Sequence, residues 1–391
     1  MSGAQNASSS SSRKPPSCFV CLIVTMTLVI SFISIANILA WHFARSTILE
    51  HEIVELAPSY AYQLNKNSND FHVRLVSIVF VNDISATNLK GNFLNAISSR
   101  MSNRYGYEKN VLDDRLSIFL NDLQRGKMVV LKLSSCESDD AKCSPEIVVI
   151  GPSSEGGVIV EDVVLKSPKL KAAKEIIVKV DRNDATGGNS MSTCSPNAVC
   201  AGNADSALHI PIIPFDGVSI ISDIDDTIKN TGVGNIPKLL ESTFAKKFSE
   251  VDGMSAAYRR LIGIKNGKDI EISQREVFGL NKYVHYVSSS PWPMASTLSS
   301  WISSAGFPPG SLHLKSFRLE LFEPWGVDLS FFNIFKNPLK YKMTSISTIL
   351  GNFPGAKACF KPLYKFYIFL FKVVVGLINA IDISVTLTFR T

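Results

Sequence analysis

The chain has 391 residues and 46% hydrophobic content, which is room for two domains with real cores and excludes disorder throughout. Its 40 basic residues against 34 acidic ones give a formal charge of +6, a mild excess that suits an anionic surface or substrate. No Lys/Arg run interleaved with aromatics occurs and no paired C-x-x-C spacing, so nucleic-acid binding is set aside.

Residues 1–16 are rich in Ser and read as a disordered tail. From Pro15 to Trp41 there is no charged side chain, and residues 17–41 are dominated by apolar types. About 20 such residues in a helix cross a hydrocarbon core of about 30 Å. The run is longer than the apolar core of a signal peptide, about 7 to 15 residues. A single-pass amino-terminal membrane anchor is therefore expected, and membrane localisation with it. Arg13 and Lys14 before the run and Arg45 after it leave topology and organelle unassigned.

Residues 46–181 begin with a helix-like stretch and pass into short β-branched runs at 74–81, 127–133, 146–150, 158–165 and 175–180. These predict the strands of a small β-rich domain. Residues 182–206 are crowded with Gly, Asn, Ser, Thr and Asp and read as the linker. In residues 207–358 the pattern changes to single apolar strands followed by helical stretches, as at Gly217 to Ser222 and Val284 to Val287. That alternation predicts an α/β unit with a parallel sheet, whose ligands gather at the carboxyl ends of strands.

The strongest chemical signal is GVSIISDIDDTIKNTG, in which an apolar strand ends in Asp223, Ile224, Asp225, Asp226 and Thr227. Crowded carboxylates repel one another unless a cation or a shared proton holds them, and Mg2+ with oxygen ligands Asp223 and Asp225 meets that need. In a D-x-D-x-T arrangement the first carboxylate, Asp223, can attack phosphorus and form an aspartyl phosphate. Asp225 can protonate the leaving group and then deprotonate water, a role that asks for a raised pKa. Thr227 would orient Asp225, although it or Asp226 alone could equally be a helix N-cap. A second strand, in VHYVSSSPWPM, opens into Ser288, placed to donate a hydrogen bond to a phosphoryl oxygen, whereas Ser289 reads as ordinary loop.

These blocks resemble the actin-patch-protein-type phosphatidate phosphatases of the haloacid dehalogenase superfamily. The resemblance runs from about Ile210 to Pro354 through GVSIISDIDDTIK, STFAKKF, DGMSAAYRR, HYVSSSPWPM, AGFPPGSLHLKSFRL and ILGNFP. It implies a Rossmann-like parallel sheet of the haloacid dehalogenase type preceded by the β-rich domain. It also implies Mg-dependent hydrolysis of phosphatidic acid to diacylglycerol and phosphate. Asp223 and Asp225 fall on the family's catalytic pair and Ser288 on its second motif. Lys342 best matches the Lys of the third motif, with Lys315 as the other candidate.

One block departs from that pattern. After ILGNFP the family continues into a Gly-Asp-Ser-Gly type motif that completes the Mg2+ site, yet this chain has no Asp or Glu between Asp328 and Asp382. Residues 359–391 therefore read as an atypical hydrophobic tail, from a truncated or mis-spliced product. The alternative to an active enzyme is an inactive relative that binds anionic lipid or a protein partner.

Overall fold

The computed structural model describes residues 46–49, 51–82, 84–85, 88–135, 145–166, 170, 173–181, 199–200, 207–215, 217–264, 282–316, 338–353 and 357–361. The chain divides into two units, 1–47 and 48–391, and the architecture described belongs to the second. The expected disordered tail falls outside the described residues, as do all of the linker but 199–200 and all of the hydrophobic tail beyond residue 361.

Ten strands form the larger sheet: β1 Ile53–Leu56, β2 Ala61–Tyr62, β3 Asp70–Val81, β4 Asp122–Leu123, β5 Val129–Ser134, β6 Glu146–Ile150, β7 Val158–Lys166, β8 Glu175–Val180, β9 Val199–Cys200 and β10 Leu208–Ile213. Their order is β6-β5-β8-β10-β2-β3-β1-β9, with β4 and β7 also paired to β3. Strand β3 is the axis. It buries Phe71, Val73 and Leu75 in alternation and then every residue from Leu75 to Val79. A strand covered on both faces reads as a continuous apolar run rather than an alternating one. Between β3 and β4 lie α1 Leu89–Tyr105 and α2 Lys109–Leu120. Asn88 caps α1 by accepting from the Gly91 amide, and Gly106 closes it in the left-handed region at φ 71°.

The smaller sheet has the order β13-β12-β11-β14 and is parallel throughout, built from β11 Val218–Asp223, β12 Lys282–Pro291, β13 Gly310–Lys315 and β14 Lys357–Lys361. Its connections carry α3 Ile236–Leu240, which runs into a π-helical turn at Glu241–Ala245, then α4 Met254–Ile262, α5 Ala295–Ser304 and α6 Pro338–Asn352. The chain leaves β11 towards β12 and β13 and returns to the other side as β14. Such a reversal of strand order opens a crevice beyond the strand ends, where ligands bind.

Both sheets share one apolar core. Val76, Ile78 and Val158 of the larger sheet lie in the same cluster as Ile220, Val284, Tyr286 and Leu312 of the smaller one. Backbone contacts tie the loop after β1 to the parallel strands: the Leu312 amide donates to Pro58 O at 3.1 Å, and Tyr283 Oη donates to Ser59 O at 3.1 Å.

Two expectations are corrected here. The fold is not a parallel sheet behind a small β-rich domain: the larger sheet is mixed, and its pairings are antiparallel except β10 with β2. Short strands joined by brief connections pair back on themselves, which apolar periodicity alone does not count. The transmembrane anchor expected at 17–41 falls outside the described residues, and no helix among the described residues is long and apolar enough to cross a membrane. The longest of these, α1, has 17 residues, among them Lys90, Arg100 and Arg104. Transmembrane helix and membrane localisation are both withdrawn.

Candidate active site

Strand β11 buries Ser219 to Ser222 and then ends on Asp223, which keeps 26% of its side-chain surface accessible. Register sets Asp223 opposite Val287, so Ser288 follows one residue later at the adjoining strand end. Four of the expected site residues meet here. Ser288 Oγ donates to Asp225 Oδ2 at 2.7 Å, and Lys342 Nζ donates to Asp223 Oδ1 at 2.5 Å.

Helix spacing explains how Lys342 arrives. Ile346, Ile349 and Phe353 follow it at intervals of four, three and four residues and are buried in one cluster with Ile221 and Val287. A residue four positions before Ile346 lies on that same face. The apolar stripe thus seats α6, and its second turn delivers the ammonium to the strand end. Lys315 ends β13, which lies beyond β12 from β11.

Asp225 is more engaged than Asp223. Besides Ser288, it accepts from Thr231 Oγ1 at 2.9 Å and forms an ion pair with Lys229 at 3.2 Å. Lys229 is itself buried at 2% side-chain exposure, with its ammonium 4.5 Å from the centre of the Phe248 ring. Thr227 does not take the expected position: its Oγ1 is buried and has no hydrogen-bond partner in the structure, and Thr231 occupies that role. Asp226 turns the chain in the left-handed region at φ 56°. Its carboxylate accepts from the amides of Thr231 at 2.8 Å, Gly232 at 2.6 Å and Val233 at 2.8 Å.

Sequence reasoning missed Lys229, Thr231 and the Asp226 loop clamp. Lys229 had a signal, its four-residue separation from Asp225. Thr231 had none, because its contact exists only after the chain reverses at Asp226.

Electrostatics separate the two carboxylates in the direction opposite to the one expected. Burial raises the Asp223 carboxyl to about 6, against the opposing pull of Lys342. Burial also pushes Asp225 up, but Lys229, the Ser288 hydrogen bond, Lys342 and the Thr231 hydrogen bond outweigh it and hold Asp225 below the ordinary range. The unliganded site thus holds an engaged, ionised Asp225 beside an Asp223 that shares its charge with Lys342. No cluster of three or more His, Cys, Asp or Glu side chains suited to a metal occurs among the described residues.

Residues 218–360 match the family described as phosphatidate phosphatase APP1, catalytic domain. Phosphatidate phosphatase APP1 of Saccharomyces cerevisiae is 30% identical over 144 residues, 36% of this chain and 20% of that protein. An uncharacterised protein of Schizosaccharomyces pombe is 33% identical over 114 residues, 28% of this chain and 16% of that protein. The chain thus spans no more than a fifth of the length of these curated relatives. No solved structure matches it significantly. The strand-end aspartates, the serine of the adjoining strand and the helix-borne lysine all lie inside the matched segment, and it is this segment, residues 218–360, that matches the phosphatidate phosphatase APP1 catalytic-domain family.

Proposed function

We propose that the chain hydrolyses phosphatidic acid to diacylglycerol and inorganic phosphate through an aspartyl phosphate on Asp223, with Mg2+ as cofactor. The observation that supports this reading is the meeting of Asp223, Asp225, Ser288 and Lys342 at two adjacent parallel strand ends. An oxygen of Asp223 bonds to phosphorus as the phosphorus–oxygen bond to the glycerol breaks. The departing alkoxide takes a proton from Asp225. Asp225, ionised again, then accepts a proton from water, whose oxygen bonds to phosphorus and releases phosphate from Asp223.

Asp225 enters the cycle as the stronger acid of the pair. A phosphoryl group arriving beside it raises its pKa by like-charge repulsion and, as a monoanion, carries a proton in. Lys342 offsets the charge that moves onto the Asp223 phosphate, and the Ser288 hydroxyl turns from Asp225 to a phosphoryl oxygen. Mg2+ commonly binds through one or two carboxylates, water and substrate phosphate, so Asp223 and Asp225 suffice to hold it, whereas Asp226 is committed to three amides. When bound, the ion supplies positive charge to the phosphoryl oxygens.

Phosphate release from phosphatidic acid in mixed micelles with Mg2+ tests the reading. Asp223→Asn should abolish it and chelation should stop it, while a wild-type chain as inactive as Asp223→Asn would end the proposal. Because attack needs the carboxylate and Asp223 titrates at about 6, kcat/KM should fall as pH drops below that value, approaching tenfold per unit.

One observation favours a second reading, a catalytically inactive relative that binds anionic lipid or a protein partner. Strand β14 pairs with β11 on the flank where the family's last acidic motif would follow, yet no Asp or Glu occurs after Lys361 until Asp382. Under this reading, binding to phosphatidate vesicles persists in Asp223→Asn and without Mg2+. Metal-dependent hydrolysis refutes it.

A further inference from the structure

A cavity of about 410 Å³ lies where α1, α2 and the segment of α3 with its π-helical turn converge. That volume falls in the range that encloses small ligands. Its walls include Leu94, Ile97 and Met101 of α1, Leu116 of α2, and Leu240 and Phe244 of the third segment. On α1 these residues recur at intervals of three and four positions, and on α2 Phe119 and Leu120 follow Leu116 at three and four, in each case one face of a helix turned to a common space.

Helix α1 buries the wrong residues for a helix that merely packs. Its buried members are Gly91 and Ser98, whereas the large apolar Phe93 at the cavity keeps 36% of its surface exposed. A surface helix ordinarily buries its apolar stripe, so this face is built to meet something else. Polar lining groups are already engaged. Tyr107 Oη donates to Glu241 Oε1 at 2.9 Å, and Lys246 pairs with the same carboxylate at 2.8 Å. A polar ligand group entering here would lose water and gain little, so the occupant is hydrocarbon.

The third wall is continuous with the catalytic loop. Lys238 of α3 packs over Gly232, where an added Cβ would stand 2.6 Å from the Lys238 Cδ, and the Gly232 amide is one of those held by Asp226. Only three residues separate Val233, also held by Asp226, from Pro237 at the cavity, a span of at most about 14 Å over the four steps. Lys238 lies on this segment, between the carboxylate loop and the cavity, and brings there the sign of charge that an anionic headgroup needs, while Lys246 and Lys247 just past it pair with Glu241 and Glu108, each at 2.8 Å.

We propose that this cavity receives one acyl chain of the phosphomonoester whose phosphate is presented to Asp223. The proposal rests on the phosphatase reading for the identity of that molecule. Each lipid is then held at two points, headgroup at the loop and chain between the helices, and a hydrocarbon chain of sufficient length becomes part of what the protein recognises.

Calorimetric titration with dodecyl phosphate below its micelle concentration tests this on the full chain carrying Asp223→Asn, so that turnover plays no part. Saturable one-to-one binding is expected. Adding Ile97→Trp, or Met101→Trp one turn further on, should fill the cavity and weaken binding at least tenfold. Ile147→Trp, at a site 61% exposed on β6, should leave the affinity unchanged. Dodecanoate should bind at least tenfold more weakly than dodecyl phosphate. Undiminished affinity in a filled variant that still unfolds cooperatively overturns the proposal, and the second variant decides where the first does not fold. Equal affinity for dodecanoate also overturns it, by assigning the cavity to a free fatty acid. Absence of hydrolysis by the wild-type chain would count against the phosphatase reading and leave this binding result standing.

Discussion

Thr227 and Thr231 sit four residues apart, and the structure gives the second the contact that the D-x-D-x-T pattern assigns to the first. Thr231 Oγ1 donates to Asp225 at 2.9 Å, whereas the Thr227 hydroxyl is buried without a partner. A buried unpaired hydroxyl costs about 1–3 kcal/mol, so its replacement by a methyl of the same shape is neutral or stabilising. Thr227→Val should leave the thermal midpoint unchanged or raise it by a few degrees. Thr231→Val should instead lower phosphate release at least fivefold, since it loosens the carboxylate proposed to move the proton. Differential scanning calorimetry and the micelle assay check the two halves. The pattern named Thr227, whereas the hydrogen bond to Asp225 comes from Thr231, because side-chain spacing says nothing of how Asp226 reverses the chain.

At the scale of elements, the loop from Asp223 to Val233 is held by Asp226 as much as by the strand it leaves. Three amides converge on that one carboxylate, and the Asp226 amide in turn donates to Lys229 O at 2.7 Å. Hydrogen bonds to a charged acceptor are the stronger kind, and φ 56° suits Asp or Asn better than other non-Gly residues. Asp226→Ala should therefore lower the unfolding free energy by about 2–4 kcal/mol in urea titration, and Asp226→Asn by clearly less. Strands β11 and β12 were legible as apolar runs that stop at polar residues. Their adjacency was expected from the two polar strand ends, but the register that sets Asp223 against Val287 and brings Ser288 to Asp225 was not legible, since a parallel pair is closed by contacts dozens of residues apart.

Over the whole molecule, the two sheets act on one another through a shared core and a buried carboxyl. Glu55 of β1 lies beside Ser296 in the first turn of α5, accepts hydrogen bonds from its side chain and backbone, and is raised by burial from 4.5 to about 7. A carboxyl bound more tightly to its proton when folded stabilises fully below its unfolded value of 4.5, and that contribution is lost as pH rises through about 7. Glu55→Gln keeps an acceptor and cannot ionise. Its stability should match wild type near pH 4 and exceed it by about 3 kcal/mol above pH 7. Buried His285, pushed down to about 3 by desolvation first and Arg74 second, works on the acid side: stability is lost as pH falls below 6.5. Comparing variant with wild type at each pH cancels that background.

From the order of its residues alone, the chain declared where strands end in carboxylates, and the resemblance added Lys342 to Asp223, Asp225 and Ser288 as candidates for one site. Those features are local: an apolar run, a turn, a helical interval. Folding alone decided that ten strands would form one mixed sheet, that its core would merge with that of the parallel strands, and that Thr231 and Lys229 would secure Asp225. The pKa order of the aspartates was decided there too, because desolvation and neighbouring charge depend on what surrounds a side chain in space.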